Sequence, residues 1–190
     1  VRLFVAFQLP ARILEALAAW TAIHRPHLPA ARWQRPEMSH LTLAFLGEID
    51  ATCRPRLEAE LEAAFAGAPP VAVRLCDVGS FPARGAGARA IWIGVEADRE
   101  LVALRDAVVG AALATVGAER RNARPFAPHI TLARCRPPWS AAAVARLRSA
   151  GRELPSAPFR LAEGTLFASD LRPTGAVHTP LAVFPLRSGA

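Results

Sequence analysis

Lysine is absent from this 190-residue chain, and all 23 basic side chains are arginine. No block of consecutive basic residues marks a nucleic-acid tail, so the formal charge of +7 is spread along the chain. Cysteine is scarce. Cys53, Cys76 and Cys135 are odd in number, lie far apart and form no Cys-x-x-Cys pair. That argues against a disulfide framework and against a zinc site, and suits reduced thiols in a cytoplasmic protein. Gln8, Pro10, Arg12 and Glu15 interrupt the first apolar run too early for a secretory leader. No apolar stretch approaches the length of a membrane span. A soluble, cytoplasmic monomer is the expectation.

What is present is globular: 52% hydrophobic and 21% charged residues. The length suits one domain, or two small lobes sharing a core. The positive charge fits a polyanionic partner, and plain solubility explains it equally well. Arginine adds one physical point, because its planar fork grips phosphate through two parallel hydrogen bonds.

The patterning interleaves strands and helices. Arg2 to Leu9 reads as a buried strand stopped by Pro10. A helix is predicted from about Pro10 to Ile23, with Leu14, Leu17 and Thr21 on one face. A second runs from Arg54 to Phe65, where Leu57, Leu61 and Phe65 recur every fourth residue, until Gly67, Pro69 and Pro70 end it. Val71, Val73 and Leu75 alternate like a strand, with Ala90 to Glu96 as the expected partner across a Gly/Arg-rich loop. Asp98 and Ser140 read as N-caps of two further helices, one carrying Leu101, Leu104 and Val108 and the other running through Leu147. Two final strands, Phe159 to Phe167 and Leu181 to Leu186, flank a turn holding Pro173 and Gly175. No long linker separates domains, so residues 1–190 read as one unit whose second half replays the first.

That replay is explicit at one place. Residues 35–44 read Arg-Pro-Glu-Met-Ser-His-Leu-Thr-Leu-Ala and residues 124–133 read Arg-Pro-Phe-Ala-Pro-His-Ile-Thr-Leu-Ala. Six of ten positions are identical, at a constant offset of 89 (129 − 40 and 124 − 35). The chain has eight threonines in 190 residues, so a given histidine has about a 4% chance of Thr two places on. Two of the five histidines show it, and both continue with Leu-Ala. The repeat is real.

In a strand, residues i and i+2 share a face. His40 and Thr42 then project together while Leu41, Leu43 and Phe45 turn to a core, and His129 and Thr131 do the same in the second copy. If the copies pack about an approximate two-fold axis, two His–Thr pairs converge across a cleft. An imidazole serves as base or acid near neutral pH. One ring can therefore take a proton from an attacking water while the other protonates the departing alkoxide. A hydroxyl beside each ring can hold the non-bridging phosphate oxygens. The scheme needs no metal and no cofactor.

The paired His-x-Thr-x motifs, His40 to Leu43 and His129 to Leu132, resemble those of the two-histidine (2H) phosphoesterase superfamily. Within it the chain is similar to the RNA 2',3'-cyclic phosphodiesterases, historically called 2'-5' RNA ligases. The similarity runs nearly end to end. It includes Arg2-Leu3-Phe4-Val5-Ala6, Arg32-Trp33, His40 to Gly47, Arg124-Pro125-Phe126 and Leu171-Arg172-Pro173. The resemblance implies an α+β fold, bilobal and duplicated, with two antiparallel sheets facing a central cleft and helices on the outside. It implies His40 as proton donor, His129 as proton acceptor, and Thr42 and Thr131 as phosphate-binding residues. The implied reaction converts a terminal 2',3'-cyclic phosphate of RNA to a 2'-phosphate, and some members also join RNA halves through a 2'-5' bond. A phosphodiesterase of small cyclic nucleotides and a non-catalytic RNA-binding module of the same fold are the alternatives. The chain departs from the family pattern at Val177-His178-Thr179-Pro180, where Tyr often precedes Thr; His178 is open to two placements, the cleft rim or a surface turn, and the surface turn is the expectation, with no role assigned.

Other residues carry weaker signals. Arg134 is a candidate phosphate contact, although strict alternation puts it opposite Thr131 unless a bulge intervenes. Trp33, Phe45 and Phe126 lie near the motifs as candidate base-stacking rings, with Phe45 read as core. His24 and His27, split by Pro26, read as loop residues without metal.

Overall fold

The computed structural model of the chain describes residues 1–82, 87–96, 98–117, 125–155, 157–172 and 175–187. Arg124 of the second repeat, the centre of the Gly/Arg-rich loop and the turn residue Pro173 lie outside the described residues.

The opening apolar run forms strand β1 (Arg2–Gln8). Its residues are apolar almost throughout because both faces are covered. Leu3, Val5 and Phe7 enter the main core, while Phe4 and Ala6 pack with Phe167 in a small cluster of their own. Beside β1 lie β3 (His40–Glu48) on one side and β9 (Glu163–Arg172) on the other, followed by β10 (Gly175–Pro185). The order of this antiparallel sheet is β10-β9-β1-β3. A second antiparallel sheet has the order β2-β7-β6-β5, from β2 (Arg32–Trp33), β7 (His129–Trp139), β6 (Ala88–Val95) and β5 (Leu75–Phe81). Strands β3 and β7, which carry the two motifs, touch each other.

The helices lie where burial requires. Helix α2 (Arg54–Ala66) seats Leu57, Leu61 and Phe65 behind β9 and β10, and α3 (Arg99–Val116) packs on α2 and β3. Helix α4 (Ala141–Gly151) covers β5 and β6. Helix α1 (Ala11–His24) joins it there, since Trp20 Nε1 donates to the Ala150 carbonyl at 3.0 Å. Each sheet thus lends a helix to the other side. α1 follows β1 of the first sheet and meets a helix of the second, and α3 follows β6 of the second and lies on β3 of the first. Asp98 and Ser140 accept from the Leu101 and Ala143 amides at 2.8 and 3.3 Å, the capping that their side chains predict.

Three local expectations change. The buried face of α1 is Ile13, Leu17 and Trp20, with Leu14 and Thr21 only half-buried; the large indole takes the core position. The segment from Val71 to Leu75 divides. Strand β4 (Val71–Val73) pairs with β8 (Phe159–Leu161) in a separate ribbon, and Leu75 opens β5, which pairs with β6. The last hairpin is longer than its hydrophobic runs suggest, with β9 and β10 paired from Gly175↔Arg172 to Pro185↔Glu163.

A bulge recurs in both sheets. In the first, Val5 pairs with Ala44 and the next residue, Ala6, pairs with Thr42, which leaves Leu43 extra. In the second, Ile91 pairs with Ala133 and Trp92 with Thr131, which leaves Leu132 extra. Both Leu-Ala pairs are buried. The extra residue inverts the alternation beyond it. Phe45 and Arg134, again 89 apart, therefore return to the face that carries the histidine and threonine.

Candidate active site

Strand alternation sets the two motifs as their residue types require. Leu41 and Leu43 are buried while His40 and Thr42 are half-exposed; Ile130 and Leu132 are buried while His129 and Thr131 are half-exposed. Each imidazole is then fixed in the same way. His40 Nδ1–H donates to the Met38 carbonyl at 2.9 Å, and His129 Nδ1–H donates to the Ala127 carbonyl at 2.7 Å. A carbonyl oxygen only accepts, so the proton of each neutral ring sits on Nδ1 and Nε2 is left for chemistry. The short 3-10 turn at Pro36–Met38 presents the first of these carbonyls.

The surroundings of the two rings differ. On the His40 side the sheet continues to β10, and His178 arrives from that strand. Its ring centroid lies 5.3 Å from His40 and 4.8 Å from Phe4, and Phe4 lies 5.1 Å from His40. Phe167 stacks on Phe4 at 5.1 Å. On the other side the sheet stops at β5. There Phe81 is 41% exposed, with its ring 5.1 Å from His129 and 5.3 Å from Trp92. Phe81 and Phe167 hold matching places in the two registers, beside Ala90 and Phe4, so the extra strand accounts for one being open and the other buried.

Electrostatics follows packing. Burial pushes His40 from 6.5 down to about 4; the Met38 hydrogen bond opposes the shift, and the charges of His178 and then His129 add to it. His129 is therefore within electrostatic reach of His40. Burial also pulls His178 below the ordinary histidine value. In the ligand-free protein His40 is a neutral ring at pH 7.

This geometry corrects the readings of Phe45 and His178 and places the remaining candidates. Arg134 lies on the same face as Thr131 because of the bulge, and it is exposed. Phe45 is not core: it is 37% exposed, on the face of Thr42. His178 is not in a surface turn but in β10, against His40. Trp33 packs toward Trp139 at 6.3 Å, and Phe126 lies beneath the Arg105 guanidinium at 5.4 Å. His24 faces Glu153 at 3.3 Å. Phe4, Phe81, Trp92 and Phe167, whose rings border the two histidines, were not legible from the sequence, whereas His178 stood out there as a departure from the family pattern. The one signal for Phe4 was the double-faced apolar run of β1. Among the described residues, no group of three or more His, Cys, Asp or Glu is placed to hold a metal ion, and no helix is long and apolar enough to cross a membrane.

Two antiparallel sheets with helices outside, each presenting a clamped His-x-Thr strand, define a duplicated, paired-histidine α+β class. A model of the 2'-5' RNA ligase superfamily matches residues 8–172, and the chain belongs to that superfamily. It is 33% identical over 185 residues to an RNA 2',3'-cyclic phosphodiesterase of Geobacillus stearothermophilus, matching 96% of this chain but 56% of that protein's length. An Escherichia coli RNA 2',3'-cyclic phosphodiesterase is 38% identical over 134 residues, covering 70% of this chain and 71% of the relative. The crystal structure of the protein TT0787 of Thermus thermophilus superposes over 100% of both chains with a TM-score of 0.81 at 28% identity.

Proposed function

We propose that this chain hydrolyses RNA-terminal 2',3'-cyclic phosphates to 2'-phosphates by paired-histidine acid–base catalysis. The observation that carries the reading is the duplicated clamp, which locks the same tautomer in both rings and leaves both Nε2 atoms for proton transfer. The names of the two curated relatives point to the same activity.

In this scheme His129 Nε2 accepts a proton from water as the oxygen attacks phosphorus. His40, protonated on Nε2, donates to the 3' oxygen as that P–O bond breaks. Thr42 and Thr131 hydrogen-bond the non-bridging oxygens, and the Arg134 guanidinium balances their charge. Because His40 rests neutral, it must gain its proton when the anionic phosphate arrives and favours the charged ring. Binding and protonation are thus coupled. Replacing water by the 5'-hydroxyl of a second RNA runs the ligation direction through the same groups. Phe81, open beside His129 and backed by Trp92, is the ring on which a nucleobase of the substrate would stack.

The direct test is to incubate the protein with an RNA ending in a 2',3'-cyclic phosphate and identify the product isomer. A 2'-phosphate, formed equally well with EDTA present, is the expected result; a 3'-phosphate or loss of activity in EDTA would overturn the scheme. His40→Ala and His129→Ala should each slow turnover by about a hundred- to ten-thousand-fold. Comparing that RNA with a nucleoside 2',3'-cyclic phosphate separates an RNA enzyme from one acting on small cyclic nucleotides.

A further inference from the structure

The mechanism above leaves one half-buried imidazole at the site unused. His178 meets the His40 ring edge-on, with centroids 5.3 Å apart and planes at 89°, and meets Phe4 at 4.8 Å and 73°. Phe167 closes the group from behind, 6.4 Å from His40 and 6.5 Å from His178. His178 Nδ1 is sealed from solvent and has no hydrogen-bond partner. Burial there holds the ring below the ordinary histidine value.

Among the described residues, the position has no counterpart in the second sheet. Strand β10 extends only the sheet that carries His40, and the second sheet ends at β5. Among the described residues, His129 has no ring equivalent to His178 over it. The carbonyl clamp anchors one nitrogen of His40, but a single hydrogen bond leaves the ring free to rock about it. Phe4 and His178 supply the walls that stop this.

We propose that His178 is a positioning residue for His40, its ring serving as the wall that holds the His40 imidazole in place and keeps water off it. The inference rests on the catalytic reading of His40 given above. The wall also explains why His40 stays neutral, since it removes solvent that would stabilise the charged ring. Other ionisable groups of the described residues flank this pair. His129 faces His40 from β7. Asp170 on β9 lies next to Ser169, the register partner of His178, and is engaged by Arg172 Nε at 2.8 Å. Arg35 and Glu37 pair with each other at the turn before His40.

The test compares His178→Ala, which removes the wall, with His178→Phe, which keeps a ring of similar shape that cannot titrate. Activity on a 2',3'-cyclic phosphate is read as kcat and KM across pH, and the His40 imidazole is titrated by NMR in the ligand-free proteins. The alanine variant should lose about tenfold or more in kcat, with KM nearly unchanged, and its His40 should titrate closer to the ordinary histidine value. The phenylalanine variant should stay within about threefold of the parent and keep His40 depressed. A rise in KM at constant kcat would make His178 a substrate contact and overturn the proposal, as would a phenylalanine variant as slow as the alanine one. Should the alanine variant not fold, His40 titrating at the ordinary histidine value in the folded phenylalanine variant overturns it alone. A parent protein with no turnover at all would instead refute the catalytic reading, while the NMR titrations would still report on the wall.

Discussion

A backbone carbonyl two residues upstream holds Nδ1 of each motif histidine. That contact decides which nitrogen can react, and packing decides the charge. His40 titrates at about 4 in the folded protein against 6.5 for an exposed ring. Between those values an unfolded chain binds a proton that the folded chain refuses. The stabilisation is therefore fully present above pH 6.5 and is lost as pH falls toward 4. The loss amounts to at most about 3 kcal/mol. Urea midpoints of the parent and of His40→Phe, taken at about pH 7.5 and about pH 4.5, check this: the parent should lose more stability on acidification. The same coupling predicts net proton uptake when a phosphate ester binds near neutral pH, measurable by calorimetry in buffers of different ionisation enthalpy.

Among the strands, the duplicated bulge matters most. It places Arg134 on the face of Thr131, where strict alternation would have hidden it. Arg134→Gln should raise KM for a cyclic phosphate by about ten- to a hundredfold, the cost of losing a charge-assisted contact, with a smaller change in kcat. A change in kcat alone would place Arg134 in the transition state only. Strand β9 carries a second constraint. A Cβ on Gly164 would run into the Phe65 ring, which is fully buried between Phe7 and Phe184. Gly164→Ala should therefore cost about 1 to 3 kcal/mol, read from denaturant midpoints. The bulge had one sequence signal, a Leu-Ala step that breaks the alternation in both copies, but in the first copy it runs on into Phe45 and Leu46 and so does not mark where the pairing shifts. The pairing of Val71 to Val73 with Phe159 to Leu161 had none. Alternation identifies a strand, but its partner here lies 90 residues away, as Val71 against Leu161 (161 − 71).

For the molecule as a whole, the charge of +7 without a concentrated basic block predicts diffuse attraction for a polyanion. KM for a cyclic-phosphate RNA should rise more steeply with salt than KM for a cyclic mononucleotide, which offers a single phosphate. Equal slopes would mean that the RNA chain beyond its end is not held. The two sheets differ at this scale, since β10 closes the His40 side while Phe81 remains open beside His129.

What the chain's residue order determined by itself was local and periodic. The His-x-Thr strands, their shared face, the helix faces of α2 and α3 and both N-caps follow from spacings within a few residues, and the repeat declared that there were two of them. Tertiary structure alone decided which face Phe45 and Arg134 occupy, that His178 meets His40, and that the two histidines sit in unlike surroundings. Those outcomes depend on strand neighbours distant in sequence, whose packing sets burial, and burial sets protonation.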